Sequence, residues 1–526
     1  MLIFRQDADV YQSGINKHCF CIFLLLCLSL TGCMLGPDFH APRAPHTKQY
    51  IQGQKTGQTT SVPSAGAAGK AQHFHPGQTI PAQWWRVFHS SQLNALIKAG
   101  LKNNPGLAAA KSALDEAQQN YFAQIGTLFP SVTGNFSAER QRFSSAQFGG
   151  TSSGVIGSRT FNLYNANVAV AYTLDVFGGL RRQIEAAGAQ VDYQQFELEA
   201  AFLTLSANIV TTGITIASLQ GQIAATHDLI QSQEKTLAVV KRQLSLGGVS
   251  EADVLSQENQ LAQTRALLPP LKQNLAQNQH ALSVLVGELP AENLLSTLKL
   301  DHLHLPSDLP IGIPSLLVRQ RPDIRASEAL LHAASAYIGV ATANLFPQIT
   351  LTGNYGQQST TLNTLFQPQN NIWNISSAVA QPIFQGGSLI AQKRAAVAAY
   401  QQAAAQYRET VLLSFGNVAD VLRALQHDAQ LLKAQQAAEV AARKSLKLTQ
   451  KQFRLGGVSY LNLLTAQQSY QQARLNKIQA QASRFTDTAA LFQALGGGWW
   501  NRPLLSCNLD VACNTQQYKP ENFGRS

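Results

Sequence analysis

The sequence predicts an α+β membrane protein whose single chain supplies four β-strands and two long helical hairpins through a tandem duplication. Three observations predict it. The chain repeats itself once: residues 243–265 (QLSLGGVSEADVLSQENQLAQTR) align without gaps to residues 452–474 (QFRLGGVSYLNLLTAQQSYQQAR), with 9 of 23 positions identical. Each half holds a pair of segments with period-two alternation, and each holds a long Pro-free stretch, residues 180–245 and 388–455, with helical periodicity.

Composition narrows the class. Of 526 residues 45% are apolar, so a sizeable core is possible, but only 13% are charged, about half the usual level. Mean hydropathy is nevertheless −0.08, because Gln, Asn, Ser and Thr replace the missing charge. That excludes a polytopic helical membrane protein and argues against an ordinary cytosolic enzyme. The net charge of +11 (40 basic, 29 acidic residues) raises the question of a polyanionic partner. Lys and Arg are spread singly, however, without the clusters and interleaved aromatics of a nucleic-acid surface.

From the N-terminus, residues 19–30 (CFCIFLLLCLSL) form one apolar run. It is too short for a bilayer span of about 20 residues and fits the h-region of a secretory signal. Leu30-Thr31-Gly32 before Cys33 resembles a bacterial lipobox, so residues 1–32 read as a lipoprotein signal peptide and Cys33 as the lipidated first mature residue. An ordinary signal with a chance cysteine is the plainer alternative, and Asp7 and Asp9 are unusual in the n-region. Several acyl chains anchor a protein stably where one does not. Residues 33–83 read as an extended linker. Cys19, Cys21 and Cys27 leave with the signal, so Cys507 and Cys513 are the remaining thiols, and an oxidising compartment permits a disulfide between them. Two unpaired thiols in the tail are the alternative.

The first repeat spans 84–310: a helix, strands at about 128–143 and 160–176, and a helical hairpin at 180–288. The second spans 311–498, with strands at about 346–358 and 372–384 and a hairpin at 388–495; residues 499–526 are a tail. Leu128-Phe129-Pro130 with Thr133-Gly134-Asn135-Phe136 returns as Leu345-Phe346-Pro347 with Thr352-Gly353-Asn354-Tyr355. Val168, Val170, Tyr172, Leu174 and Val176 mark one apolar face; Ile349, Leu351, Gly353 and Tyr355 mark another. Gly/Ser/Gln-rich loops at 144–158 and 357–370 separate the strands of each pair, the signature of an outer-membrane β-barrel. A soluble sandwich is the alternative for the strands alone, but the helical stretches would each reach about 100 Å, a length suited to crossing a wide aqueous gap. Gly247 and Gly456 fall where each long helix doubles back, and Ser250 and Ser459 fit as N-caps of the returning helices. Closed membrane barrels start at about 8 strands, and open edges in lipid cost several kcal/mol per group. The strands of several copies must therefore close one barrel.

These residues resemble a known family. Leu317-Val318-Arg319-Gln320-Arg321-Pro322-Asp323-Ile324-Arg325, continuing through Ile338-Gly339-Val340-Ala341 to Phe346-Pro347 and Leu351-Thr352-Gly353, is similar to the signature of NodT-type outer-membrane factor lipoproteins. Those are the TolC-like exit ducts of tripartite efflux pumps. Gly36-Pro37-Asp38-Phe39, Trp84-Trp85 with Phe88, Asn103-Asn104-Pro105, and Tyr172-Thr173-Leu174-Asp175-Val176-Phe177-Gly178 with Arg181 and Arg182 add to the resemblance, which runs from about 30 to 500. It implies a homotrimer, with a 12-stranded transmembrane β-barrel continuous with a 12-helix periplasmic α-barrel. It also implies outer-membrane localisation with a lipid anchor, docking to a periplasmic membrane-fusion adaptor, and an inner-membrane transporter, often of the resistance-nodulation-division class. Substrate would pass without chemical change, and energy coupling would lie in the transporter, so no cofactor is expected.

The resemblance also places residues. The turns Leu246-Gly247-Gly248-Val249-Ser250 and Leu455-Gly456-Gly457-Val458-Ser459 become the adaptor-docking surface. Glu251, Asp253, Arg454, Tyr460, Leu461, Asn462 and Thr465 become the periplasmic gate. The family often carries carboxylates where this chain has Asn462 and Thr465, which leaves Glu251 and Asp253 as as many as six carboxylates in a trimer. Closure is therefore expected to rest on the apolar Leu461 and Tyr460 and on Arg454 contacts with Asp253 or Glu251, against solvated tip charges as the plain reading. His73/His75 and His302/His304 lie in Pro-flanked stretches and read as solvated; with Met34 the one mature methionine, no metal site is expected. Trp499-Trp500 is either an interfacial anchor or packing at the end of the last helix. No phosphate loop, paired catalytic carboxylates or nucleophile elbow appears. A type I duct for polypeptides and a structural envelope-bridging lipoprotein are the alternatives to drug efflux.

Overall fold

In the computed structural model, residues 34–47, 49–51, 57–143, 159–291 and 298–502 are described. Cys33, the signal peptide, and Cys507 and Cys513 lie outside them, so the lipidation and disulfide expectations fall on undescribed residues. In chain order the elements are β1 (His73–Pro76), α1 (Ser91–Asn103), α2 (Pro105–Gly126), β2 (Ser131–Phe143), β3 (Arg159–Leu174), α3 (Gly179–Ser245), α4 (Glu251–Ala266), α5 (Leu268–Val286), β4 (Asp308–Ile311), α6 (Pro314–Gln320), α7 (Pro322–Ala343), β5 (Gln348–Ser359), β6 (Asn371–Ala380), α8 (Ser388–Arg454) and α9 (Tyr460–Ala494). They fall into two compact units. One holds Ser112–Gln195 and Ala326–Arg408 with the N-terminal residues up to Pro42; the other holds Arg43–Lys111, Phe196–Arg325 and the chain from Glu409.

The first unit contains one four-stranded antiparallel sheet in the order β2-β3-β5-β6. Each repeat supplies a hairpin, and β3 pairs with β5 to join the two, from Tyr164 opposite Ser359 to Leu174 opposite Ile349. Residues directly opposite one another share a face of a sheet. One such row reads Val132, Val170, Gly353, Ile375, and the next row on the same face reads Gly134, Val168, Tyr355, Trp373. The opposite face carries Ser131, Ala171, Thr352, Ser376 and then Thr133, Ala169, Asn354, Asn374. One face is thus apolar and the other small and polar, and a one-residue slip would exchange them. Val132, Val168, Val170, Tyr355, Trp373 and Ile375 are nonetheless exposed in the single chain. Among the described residues β2 and β6 are edges.

The strands are shorter at several ends than the alternation suggests, and prolines and caps are the reason. β2 and β5 begin only after Pro130 and Pro347, which donate no hydrogen bond to a ladder. β6 stops at Ala380, ahead of Pro382. β3 stops at Leu174 because Asp175 turns away to cap α3, accepting from Leu180 N–H at 2.9 Å and Arg181 N–H at 3.0 Å.

The second unit is helical, with a small parallel pair of β1 and β4. Its core gathers Trp84 and Phe88, Leu93 and Ile97 of α1, Ile209 and Ile214 of α3, and Phe485 and Phe492 of α9, all nearly inaccessible to solvent. Trp84 stacks on Phe492 with ring centroids 5.6 Å apart. Helices α3 and α8 each run 67 residues without interruption. By length and composition α3 qualifies to cross a membrane, but half of its most apolar window is buried within the chain, as packing among helices produces. The return from α3 is not one helix. It breaks at Leu267 between α4 and α5, where Pro269 and Pro270 open the second helix and remove backbone donors. The repeat-related positions are Ile478 and Gln479, and there α9 continues unbroken for 35 residues.

Candidate gate and docking site at the helical turns

Each Gly-Gly turn closes its helix with a Schellman motif. Gly248 N–H reaches Gln243 O at 2.8 Å and Gly247 N–H reaches Leu244 O at 2.9 Å; Gly457 and Gly456 make the same pair with Gln452 O and Phe453 O at 2.9 and 3.0 Å. Gly247 and Gly456 adopt φ of 73° and 75°, a left-handed conformation that only glycine takes freely. A Cβ at either would meet nothing within 4 Å, so the requirement is backbone conformation rather than space. The leucine before each pair projects outward: Leu246 is 78% exposed and Leu455 77%. Val249 and Val458 pack back against the helices. Each turn therefore presents a leucine and two glycines, a small apolar patch with open backbone.

Behind the turns, four helices share a core of Val240 (α3), Val254 (α4), Leu446 and Phe453 (α8), and Tyr460, Leu463 and Ala466 (α9). The expected gate residues divide. Leu461 is 66% exposed, but Tyr460 is only 5% exposed, stands edge-on to Phe453 at 5.9 Å, and donates to Gln257 Oε1 on α4. Tyr460 is therefore a cross-link between the two hairpins rather than part of an apolar rim. Burial, helped by the charge of Asp253, pushes its phenol pKa up.

The Asp253 expectation is also corrected. Its carboxylate accepts from Ser250 N–H at 3.0 Å and Ser250 Oγ at 2.8 Å, while Ser250 Oγ accepts from Asp253 N–H at 3.3 Å. This is a reciprocal capping box at the start of α4. Arg454 instead donates to Gln450 O of its own helix at 3.3 Å, and no ion pair joins it to Asp253 or Glu251 among the described residues. Glu251 and Asn462 are exposed, and Thr465 bonds back to Leu461 O at 3.0 Å. Ser459 occupies the N-cap of α9 but makes no side-chain cap bond.

Sequence reasoning missed the glutamines. Gln468 donates to Gln260 Oε1 at 2.7 Å and Gln257 to Gln233 O at 3.5 Å. Gln233 and Gln467 are fully buried, and their amides find no partner among the described residues. The signal was present as a run of glutamines at helical spacing, but composition alone assigns such residues to solvent. Exposed ion pairs Lys241–Glu258, Arg265–Glu234 and Arg474–Asp228, at 2.6–2.7 Å, flank this layer.

A second arrangement lies next to the expected lipidation site, within the first unit. The chain from Met34 is tied down at once: Leu35 N–H donates to Phe177 O at 3.2 Å, and Met34 covers Gly178, where a Cβ would approach to 2.8 Å. Gly36 sits so close to Gly339 of α7 that a Cβ would come within 2.4 Å of its Cα. The fully buried Arg182 donates to Leu35 O at 3.1 Å and Gly36 O at 3.3 Å, and pairs with Asp38 at 2.8 Å and Glu185 at 2.7 Å. Glu185 also meets His332 at 2.9 Å, and Phe39 stacks on that imidazole at 4.4 Å.

Other singled-out residues prove structural. Arg321 pairs with Asp323 at 2.6 Å and donates to Ala494 O at 2.8 Å, so the Arg-Pro-Asp motif clamps the end of α9. Asn104 caps α2 through Leu107 N–H at 3.0 Å and donates to Leu285 O at 3.0 Å. Trp499 donates to Gln320 O at 2.7 Å and packs on Phe196, which decides for packing over an interfacial anchor. His75 pairs with Asp308 at 2.8 Å, and no three His, Cys, Asp or Glu groups among the described residues are placed to hold a metal ion.

The profile of the outer membrane efflux protein family matches residues 96–288 and 313–497. The chain belongs to that family. It is 31% identical to the antibiotic efflux pump outer membrane protein ArpC of Pseudomonas putida over 475 residues, covering 90% of this chain and 94% of that one. It is 27% identical over 484 residues to the cation efflux system protein CusC of Escherichia coli O6:H1, covering 91% and 99%. Among solved structures, the outer-membrane channel OprN superposes with a TM-score of 0.78 at 27% identity, covering 89% of this chain and all of that one. This efflux protein thus has the fold of outer-membrane channels.

Proposed function

We propose that three copies of this efflux protein form a passive exit duct. Four strands from each copy close a 12-stranded barrel in the outer membrane, and the long helices of the three copies form a 12-helix tunnel through the periplasm. The observation that carries this reading is the sheet: an apolar face, a polar face and two free edges, exposed in the single chain. Unpaired edges are not tolerated in hydrocarbon, so β2 of one copy must meet β6 of the next, with the apolar rows facing lipid and the Ser/Thr/Asn rows lining the pore.

The Leu-Gly-Gly-Val-Ser turns serve as the docking surface for a periplasmic adaptor, itself joined to an inner-membrane transporter. Leu461 with the exposed Glu251 and Asn462 lines the gate. Cys33 carries the lipid anchor; the tie-down of Met34 to Asp38 supports this, because it would hold acyl chains beside the strand ends. The substrates are drugs or other small toxic compounds, as the names of the relatives suggest, and nothing in the polar, Gln-rich wall singles out one.

The test is export in a deletion strain, read as intracellular accumulation of a panel of dyes, antibiotics, solvents and metal ions, with complementation. Restored export of several organic compounds supports the reading. Loss of a secreted protein with unchanged accumulation would transfer the assignment to a type I duct. Absence of conductance in planar bilayers by the purified protein would sink the duct reading altogether.

A further inference from the structure

Away from the turns, α9 grips a segment of the N-terminal chain, residues 59–72, through side chains on one face. Gln481 donates to Ala65 O at 3.0 Å, and Gln72 donates to Thr488 Oγ1 at 3.1 Å. Between them Arg484, 1% exposed, donates to Ala68 O at 2.5 Å and to Thr59 Oγ1, Lys70 O and Gln72 Oε1 at 3.1 Å each. The segment is closed on itself by Thr59 N–H to Gln72 O and Val62 N–H to Gly69 O at 2.9 and 2.7 Å. One guanidinium thus holds both ends of a loop in place.

That guanidinium is not fully used. Its Nε is buried and finds no partner among the described residues. Beside it stands a carboxyl pair on facing helices: Asp428 of α8 lies within hydrogen-bonding reach of Asp487 of α9. Asp428 Oδ2 is buried and likewise has no donor. Two ionised carboxylates cannot bond each other, whereas one shared proton supplies the missing donor and removes the repulsion. Asp487 and Arg484 are the charged groups whose fields act on Asp428. Its chain neighbour His427, and Lys70 in the gripped segment, are exposed.

We propose that Asp428, Asp487 and Arg484 form a proton-responsive clasp: with one proton shared by the carboxyl pair Arg484 holds residues 59–72, and loss of that proton draws Arg484 towards the carboxylates and loosens the segment. The charge count supports this. With the proton present the trio is neutral; without it the trio carries one uncompensated negative charge, while Asp428 Oδ2 and Arg484 Nε are each buried without a partner among the described residues. Burial first, then Asp487, pushes the Asp428 carboxyl up to about 7, so the proton is exchanged within the range an envelope protein meets.

Hydrogen exchange of the assembled full-length protein in detergent, read on peptides covering 59–72 and corrected for intrinsic rates, tests it. One proton released on opening predicts about a tenfold increase in opening from about pH 6 to about pH 8. Asp428→Asn, whose amide donates to Asp487 at every pH, should hold the low-pH protection throughout. Asp487→Asn should do the same by the converse bond. Peptides from α1 serve as the control and should show no such step. An absent pH step in the wild-type protein, or a step that persists in both asparagine variants, overturns the proposal. Should one variant fail to assemble, the other still decides.

Discussion

Tyr460 at the start of α9 donates its phenolic hydrogen to the side chain of Gln257 on α4, joining two hairpins whose sequences lie 203 positions apart. The bond is buried against Phe453 and sits one residue from the exposed Leu461. It therefore couples the packing of the two return helices to the residue that lines the proposed gate.

Tyr460→Phe keeps the ring and removes the donor, leaving Gln257 Oε1 buried and unmatched at a cost of about 1–3 kcal/mol. Thermal unfolding of the purified protein should shift down, and antibiotic leakage through the outer membrane should rise. Unchanged leakage together with unchanged stability would show that the bond does not restrain the gate.

Gln233 and Gln467 predict the opposite direction. Both are fully buried with unmatched amides, and removing an unsatisfied buried polar group relieves its desolvation penalty. Gln467→Leu, alone and with Gln233→Leu, should stabilise the protein by about 1 kcal/mol each. Thermal unfolding reads the gain, and single-channel recording should show longer closed times if the same helices move on opening.

Gly456→Ala forces a Cβ into a left-handed residue and should cost about 1 kcal/mol or more, with drug export falling in step. Gly457→Ala, whose Cβ would lie 3.6 Å from Gln452 O in ordinary contact, is the matched control and should leave both nearly unchanged. Equal effects at the two positions would point to side-chain bulk in adaptor docking instead of turn geometry.

Arg182→Ala removes the buried guanidinium that ties Leu35 O, Gly36 O and the Asp38 carboxylate to Glu185 and so frees the chain from residue 34. Limited proteolysis should then cut within residues 34–42, where the wild-type chain resists. Resistance in the variant would mean that the Gly36–Gly339 contact and the Phe39–His332 stack suffice.

The pH dependence of stability follows from Asp428. Its carboxyl is raised to about 7 in the fold from about 3.9 in an unfolded chain. A raised acid binds its proton more tightly folded than unfolded, so its stabilising contribution is complete below the unfolded value and fades as pH rises through about 7. The thermal midpoint should fall between about pH 6 and about pH 8, and Asp428→Asn should flatten that slope.

Local chemistry explains what the sequence determined alone. Period-two alternation specifies which residues of a strand share a face whatever lies beyond it. A Gly-Gly pair ends a helix through its own backbone, and a duplicated Leu-Gly-Gly-Val-Ser declares two hairpins. Pro269-Pro270 carried a local signal of the same kind, and it breaks the first return helix. What only the tertiary structure decided involves partners far apart in the chain. Tyr460 turns inward to Gln257, and Arg182 and Arg484 reach carbonyls 146 to 416 positions away. An isolated tyrosine, aspartate or arginine carries no label for its partner. Burial and hydrogen-bond satisfaction make that choice once the helices have packed.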